Sequence, residues 1–231
     1  MDPYAQFDFD LRACRKCECI LRNYNVDPSV SGEIVEPRPI VSGIKPKAIL
    51  LVGQAPGLTE YQTRKPFQGD AGQKIRIIFR EAGITDFDTS VYSSAVVKCY
   101  PGRKLRRKRD AGSVSEDIVP PAEMINNCRT FLERAILLVN PRVIVTLGTF
   151  PLKAYLRLSG QSRALPGLKL ENYVGKCERW HNRVVVFFPH TSGGSFWLNP
   201  PSHKQLFEEA KQLLQATLVD TGIIAGAQRK R

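Results

Sequence analysis

Apolar residues fall into short continuous runs that alternate with longer stretches of helical spacing. The clearest run, Ala48 to Val52, is apolar at every position and ends in a Gly-Gln-Ala-Pro-Gly turn. A run that is apolar throughout is typical of a strand buried on both faces of a parallel sheet. An amphipathic segment from Gln73 to Ala82 follows, and Gly83 ends the helix predicted there.

The same alternation continues to the end of the chain. Further strands are predicted over 91–97, 142–148 and 183–188, and helices over 5–24, 122–139, 149–158 and 202–218, with Ser202 as a cap. Residues 173–174 pair with the last strand in a hairpin-like arrangement, whereas residues 101–120 are predicted to be a long polar loop. Strands that alternate with helices predict an α/β fold. We assign one domain to residues 1–220 and a basic, flexible tail to residues 221–231.

Composition is that of a globular protein with a basic surface. The 231 residues are 42% hydrophobic and 24% charged, which suits one sizeable core. No apolar run approaches a membrane span and no signal-peptide pattern occurs, so we expect a cytoplasmic protein without a membrane partner. The net charge is +12, with basic clusters over 103–109 and 229–231. Nucleic acid is therefore the first partner to consider. The alternative is a basic surface that only contacts solvent.

The cysteines provide a candidate metal site. Cys14 and Cys17 form a C-x-x-C pair, and Cys99 and Cys128 add two thiols. Disulfides are not expected in a cytosolic chain of this size. Zinc and iron–sulfur clusters both accept four thiolates, so the residues alone leave the two open. We interpret the remaining cysteines as small buried hydrophobes, namely Cys19 and Cys177.

The loop after the first strand is the best candidate for a ligand site, since ligands of α/β sheets bind beyond the carboxyl ends of strands. It carries an aromatic side chain, Phe67, and a carboxylate, Asp70. The patterns of a phosphate-binding loop and of a dinucleotide fingerprint are absent. From the residues alone, a glycine-rich connection without chemistry is an equal alternative, and Asp70 is equally explained as a helix cap.

Three segments together resemble the motifs of the uracil-DNA glycosylase superfamily. Residues 53–57 and 66–72 resemble its first motif, residues 96–101 (Val-Val-Lys-Cys-Tyr-Pro) its middle motif, and residues 190–192 (His-Thr-Ser) its last. The cysteine positions resemble those of the iron–sulfur branch, families four and five. The resemblance implies a three-layer sandwich around a mostly parallel, four-stranded sheet. It also favours a [4Fe–4S] cluster over zinc, with the ligands Cys14, Cys17, Cys99 and Cys128.

The resemblance implies a role for each site residue. Asp70 matches the aspartate of family five, which stabilises the oxocarbenium-like sugar and orients water. His190 is expected to donate to the O2 oxygen of the departing base. Phe67 is expected to stack on a base flipped out of the duplex. The substrate-binding residues implied are Gly53, Gln54, Ala55, Phe67, Ser94, Ala95 and Ser192.

Two positions depart from the family pattern. Gln54 stands where family four has a glutamate, and Gln54 cannot act as a base. Ala95 stands where members usually carry an asparagine that reads the uracil edge, so weaker discrimination is expected, with hypoxanthine as a further base. An apolar wedge should fill the vacated space in the duplex, and the candidates are Phe196, Trp197 and Leu198.

The sequence thus predicts a monofunctional DNA glycosylase that hydrolyses uracil from DNA and leaves an abasic site. The alternative is a non-enzymatic nucleic-acid-binding protein with a structural zinc or iron–sulfur site. A member that links covalently to DNA through a histidine is less expected, since the loop insertion of that branch is not evident. The resemblance implies a monomer. A sliding-clamp partner occurs in the family, but no clamp-binding motif is recognisable.

Overall fold

A computed structural model describes residues 2–23, 35–107, 113–192 and 196–225, without the side chains of residues 23, 105–107 and 113–115. The strands of this part are β1 (Ile49–Gly53), β2 (Val91–Ala95), β3 (Arg103–Arg107), β4 (Ser113–Asp117), β5 (Val143–Leu147), β6 (Cys177–Trp180) and β7 (Arg183–Phe188). The α-helices are α1 (Pro3–Arg12), α2 (Glu18–Asn23), α3 (Leu58–Thr63), α4 (Asp70–Glu81), α5 (Phe87–Ser90), α6 (Ala122–Val139), α7 (Thr149–Leu158) and α8 (Pro201–Asp220). Short 3₁₀ turns cover Ser162–Ala164, Leu170–Asn172 and Phe196–Leu198.

The central sheet has five strands in the order β2–β1–β5–β7–β6. The first four are parallel, and β6 adds an antiparallel edge beside β7. The register pairs Gly53 with Ala95 and Leu147 with Phe188, so the four carboxyl ends lie along one edge. The predicted α/β fold with a mostly parallel sheet is confirmed, and the sheet gains one strand. The predicted partner of β7 was wrong, because Cys177–Trp180 and not residues 173–174 forms the hairpin.

The core lies on both faces of this sheet. Every residue of β1 and β5 is buried, which explains why both strands have uninterrupted apolar sequences. Helices cover the sheet with one apolar face each: Ile75 and Phe79 of α4, for example, are fully buried. Burial of side chains of this size contributes roughly 1.5–3 kcal/mol each.

The region predicted as one long loop contains a two-stranded sheet. β3 and β4 pair antiparallel, and the pairs Arg103–Asp117 (3.0 Å) and Lys104–Glu116 (3.6 Å) are ion pairs at its base. The segment lacks the apolar alternation that signals a strand, which is why sequence reasoning missed it. Lys108 and Arg109, part of the predicted basic run, lie outside the described residues.

Both ends of the chain also depart from expectation. The single helix predicted over 5–24 is two helices, α1 and α2, separated at the C-x-x-C pair. α8 begins at Pro201 with Pro200 at its N-cap, so Ser202 is not the cap. Within residues 221–225, assigned to a flexible tail, Ile223 and Ile224 are partly buried against the core, and Ile224 lies against Gly83. The basic cluster over 229–231 lies outside the described residues. Within the described ranges, every helix is too short or too polar to cross a membrane.

Candidate functional site

The segments that resemble the first and middle motifs meet at the carboxyl edge of the sheet. The Val96 N–H donates to the Gly53 carbonyl (2.9 Å), and the Val97 N–H donates to the Gln54 carbonyl (3.0 Å). These bonds continue the β1–β2 pairing beyond the ends of both strands. The loop that contains Gln54 and Ala55 is therefore held at a fixed distance from Ala95 by backbone alone.

The third motif reaches the same edge from β7. The Gly148 N–H donates to the Phe188 carbonyl (2.8 Å), and a Cβ on Gly148 would lie 3.3 Å from the Cβ of His190. Gly148 also has a φ of +88°, a conformation that favours glycine. The Thr191 hydroxyl donates to the Ala71 carbonyl (2.9 Å), which joins the histidine loop to the start of α4. The Thr191 side chain therefore brings His190 to the Asp70 side of the edge.

Phe67 is held in a strained conformation by two glycines. Its φ is +53°, and a Cβ on Gly72 would lie 2.1 Å from the Phe67 carbonyl oxygen. A Cβ on Gly53 would lie 3.0 Å from the ring atom Cζ, so the ring packs directly on the end of β1. Positive φ costs an aromatic residue on the order of 1–3 kcal/mol, which the surrounding contacts must offset.

Glu60 organises the first-motif loop, a role that sequence reasoning missed. One carboxylate oxygen accepts from the N–H groups of Gln68 and Gly69 (2.8 Å each), and the other accepts from the Gly57 N–H (3.0 Å). The spacing did contain the signal, because a glutamate three residues after an N-cap can accept from the N-cap N–H, which is half of a capping box and is what Glu60 does with Gly57. The contacts to Gln68 and Gly69 extend that box to the residues that flank Phe67 and Asp70.

Asp70 begins α4 and is exposed. The N-cap of α4 is Gly69, so Asp70 does not cap this helix as the alternative interpretation required. No hydrogen bond or ion pair joins Asp70 to any other described residue. Its carboxylate is consequently available for a ligand.

The remaining predicted binding residues line the ends of β1 and β2. Gln54, Ala55 and Ala95 are half-buried and Ser94 is buried at 7% exposure. The Gln54 side chain has no hydrogen-bond partner among the described residues. A separate cavity of about 210 Å³ lies between α6 and α7, and none of Phe67, Asp70 and His190 lines it.

His190 is a neutral, oriented imidazole. The Ser192 N–H approaches Nδ1 at 3.3 Å and the Ser192 hydroxyl approaches it at 2.8 Å. An amide N–H can only donate, so Nδ1 accepts and the proton of the neutral ring resides on Nε2. Burial lowers the pKa of His190 below its ordinary value of 6.5, which keeps the ring neutral near pH 7. The result is an Nε2–H donor that Ser192 holds in place.

The four predicted cysteine ligands are together called the cysteine site. Cys17, Cys99 and Cys128 are buried in a small second core beside Tyr61 and Tyr100, and Cys14 is half-buried. Burial, and then the neighbouring thiols, raise the pKa of Cys17 to about 11 and raise that of Cys99 as well. Two hydrogen bonds reach these thiols from described residues, one from the Lys98 N–H to Cys128 Sγ (3.5 Å) and one from Asn127 Nδ2 to Cys17 Sγ (3.8 Å).

The burial of Lys98 indicates which charge a group bound at the cysteine site should have. Its side chain is 2% exposed, and burial lowers its pKa to about 8, an effect that the Cys128 and Cys99 thiolates partly offset. A buried ammonium normally requires an anion. No three His, Cys, Asp or Glu side chains among the described residues are arranged around one metal ion. The thiols and the buried cation suit a negatively charged, thiolate-bound group.

The other two cysteines do not join this site. Cys19 and Cys177 are both exposed, which corrects their interpretation as buried hydrophobes. Cys177 lies on the edge strand β6, in a different part of the fold.

The wedge candidates differ sharply in exposure. Phe196 is 77% exposed, whereas Trp197 is half-buried and stacks on His203 with ring centroids 4.2 Å apart. Leu198 is also half-buried. Residues 193–195, which connect Phe196 to Ser192, lie outside the described residues.

Comparison with known proteins matches this arrangement to a family. Residues 42–215 match the family model described as the uracil DNA glycosylase superfamily, and this region is most of the chain. The chain belongs to the uracil-DNA glycosylase superfamily. The matched region includes the whole central sheet and the carboxyl-edge residues, and it begins after Cys14 and Cys17.

Several curated glycosylases of this superfamily are similar to the chain. A type-4 uracil-DNA glycosylase of Sulfurisphaera tokodaii is 26% identical over 94% of this chain and 86% of its own length. One of Archaeoglobus fulgidus is 28% identical over 77% of this chain and 75% of its own. One of Thermotoga maritima is 32% identical over 63% of this chain and 62% of its own.

Proposed function

We propose that this protein removes uracil from DNA by hydrolysing the N-glycosidic bond, and leaves an abasic site. The observation that carries the proposal is the meeting of Phe67, Asp70 and His190 at one edge of the sheet of a superfamily member. The relatives that are similar over most of this chain are named uracil-DNA glycosylases, which favours uracil in DNA as the substrate.

The three side chains divide the chemistry of bond cleavage. A base in a duplex is inaccessible, so the nucleotide must be flipped into a pocket, where the Phe67 ring supplies a stacking face. Cleavage develops positive charge on the sugar and negative charge on the leaving base. The Asp70 carboxylate stabilises the first and orients the attacking water, and the His190 Nε2–H stabilises the second at the O2 oxygen.

The assignment of Asp70, and not Gln54, as the carboxylate follows from charge and availability. Both residues lie on the first-motif loop, but only Asp70 ionises. Asp70 has no partner among the described residues, so no bond must break before it meets the sugar. Gln54 is limited to positioning water or base through its amide.

Phe196 is the wedge that we propose for the space left by the flipped nucleotide. An exposed aromatic ring costs free energy in water, and its insertion into a base step recovers the lost stacking. Trp197 is engaged with His203 and is therefore less free to leave the protein surface.

The cysteine site holds a [4Fe–4S] cluster in this proposal, on Cys14, Cys17, Cys99 and Cys128. When bound, the cluster supplies covalent ties among three chain segments and no chemistry to the hydrolysis. Zinc would use the same thiols, so iron and labile sulfide in the purified protein decide between the two.

The deciding experiment compares wild type with Asp70→Asn under single-turnover conditions, on labelled oligonucleotides cleaved by alkali. The substrates carry uracil opposite guanine, uracil in a single strand, or hypoxanthine opposite thymine. We expect Asp70→Asn to slow uracil excision by about 10²–10⁴-fold with DNA binding unchanged. Glu81→Gln, at the other end of α4, is the matched control and should excise at the wild-type rate.

Two outcomes would contradict parts of this proposal, and a third would define the base specificity. Excision of uracil by Asp70→Asn at the wild-type rate would remove the catalytic role of Asp70. Absence of excision of any base by the cluster-loaded wild type, with DNA still bound, would favour the nucleic-acid-binding alternative. Excision of hypoxanthine by wild type would support a permissive pocket at Ala95.

A further inference from the structure

Lys98 is a buried cation without a carboxylate partner in the described part of the chain. Its ammonium donates to the carbonyl of Ala95, at the end of β2, and its side chain is 2% exposed. A neutral carbonyl does not balance a full charge in a low-dielectric interior. The ionisable groups beside Lys98 are the thiol of Cys128, whose Sγ accepts from the Lys98 backbone N–H, and the thiol of Cys99, the next residue in the chain.

Lys98 is connected to two residues of the cysteine site. It precedes Cys99 in the chain, and its backbone N–H donates to the Sγ of Cys128. Other charges near the thiols are Arg15 and Lys16, both exposed between Cys14 and Cys17, and Glu123, which opposes them. Water and salt screen the charges of Arg15 and Lys16, whereas the buried charge of Lys98 acts almost unscreened.

We propose that Lys98 is the buried counter-charge of the iron–sulfur cluster, a residue that tunes the cluster and contacts no substrate. The inference rests on the proposed cofactor. A cluster with a 2+ core and four thiolates has a net charge of about −2, and this charge satisfies the ammonium that the apoprotein leaves unbalanced. The same ammonium holds the Ala95 carbonyl, so it connects the cluster to the strand end that borders the predicted base pocket.

The measurable consequence is the reduction potential of the cluster. One-electron reduction adds a negative charge, which a nearby cation stabilises. Lys98→Met keeps the length and apolar stem and removes the charge, so reduction becomes harder and the midpoint shifts to lower potential. Lys98→Arg keeps the charge and should stay near the wild-type midpoint.

Lys47 provides a matched control. Its ammonium is also partly buried and donates to the carbonyls of Asp88 and Val91, at the opposite end of β2. Lys47→Met therefore removes a lysine that bonds to the same strand, far from the thiols. Its cluster should titrate at the wild-type potential.

The experiment uses the four anaerobically purified, cluster-loaded proteins. Iron and labile sulfide per chain are measured first, and a dithionite titration followed by electron paramagnetic resonance then gives each midpoint. A lower midpoint in Lys98→Met alone supports the proposal. A wild-type midpoint in a fully loaded Lys98→Met, or an equal shift in Lys47→Met, overturns it.

Loading itself is informative where a variant fails to hold the cluster. If Lys98→Met lacks iron while Lys98→Arg and Lys47→Met are loaded, the charge is required and the proposal stands. If Lys98→Arg also lacks iron while Lys47→Met is loaded, shape matters and charge does not, and the proposal fails. Wild type without iron and sulfide would refute the cofactor, and uracil excision by that same sample would show that the glycosylase proposal survives.

Discussion

The carboxyl edge of the sheet and the cysteine site are built in opposite ways. The edge is assembled from backbone hydrogen bonds and short side-chain contacts, such as those of Glu60 and Thr191, that satisfy each other without a ligand. The cysteine site brings thiols from distant segments near a buried ammonium, and two hydrogen bonds from described residues reach those thiols. The contacts of the fold therefore explain the first region, whereas the charge of the second is balanced only by the cluster that we propose.

Replacement of one thiol should produce the largest effect and break only the second region. Cys99→Ser removes a buried ligand, and we expect complete loss of iron and sulfide because a [4Fe–4S] cluster needs all four thiolates. Cys177→Ser, on an exposed edge strand, should retain the wild-type content. Full loading of Cys99→Ser would contradict the assigned ligand set.

Glu60→Gln should damage the first region and spare the second. The amide cannot accept from all three N–H groups, and a buried unsatisfied donor costs about 1–3 kcal/mol. We expect single-turnover uracil excision to fall about 10- to 100-fold, since small displacements of positioned groups are costly. The iron content should not change.

The control for Glu60 is Glu133→Gln, which loses a surface ion pair with Arg129 (2.8 Å) that contributes little. Its excision rate and melting temperature should match those of wild type. A rate for Glu60→Gln equal to that of Glu133→Gln would exclude the proposed organising role.

Substitutions in the β3–β4 hairpin test whether DNA contacts a surface that both regions share. It follows Cys99, and its Asp117 carboxylate lies where a Cβ on Gly57 would be 2.9 Å away. In this hairpin, Arg103 and Lys104 form ion pairs with Asp117 and Glu116, and Arg106 and Arg107 continue the basic sequence of β3. Arg106→Gln with Arg107→Gln should reduce the slope of log binding constant against log salt by about 1.8 for duplex DNA, at roughly 0.9 for each phosphate contact.

The control for this salt dependence is the double variant Arg163→Gln with Lys169→Gln. It removes two exposed positive charges from the loop after α7. We expect this double variant to keep the wild-type slope. Equal slopes for both double variants would place the DNA elsewhere.

The smallest expected effect is a pH dependence of stability caused by the buried His190 of the first region. His190 has a lowered pKa in the folded protein, so the unfolded chain binds a proton first as the pH falls below about 6.5. Stability is thus fully present above that pH and declines below it, by at most about 1.4 kcal/mol for each unit of pKa difference. Urea unfolding at pH 7.5 and 5.5 should show a smaller loss for His190→Gln than for wild type.

Exposed His181, on the β6–β7 turn, serves as the reference for this pH experiment. His181→Asn suits the left-handed conformation of that residue (φ +55°) and should lose stability in parallel with wild type. A loss for His190→Gln as large as that of wild type would mean that burial of the ring has no effect on stability.

The parts predicted from sequence are those whose environment imposes a simple pattern. β1 and β5 are buried on both faces and therefore apolar throughout, and α6 has the spacing of one buried face. β6 is an edge strand with alternating exposed and half-buried residues, and β3 and β4 are held by charge, so neither shows an apolar signal. The motifs identified Phe67, Asp70 and His190, but the choice of Phe196 over Trp197 needed exposure, which depends on the fold around them.

The order of the two regions along the chain has a consequence during synthesis. All four thiols are complete once residue 128 has been made, whereas His190 follows about 60 residues later. At roughly 5–20 residues per second, the ribosome takes about 3–12 seconds to cover that interval. Under the proposed assignments, the nascent chain can thus receive its cluster before the histidine that we assign to the leaving base has been made.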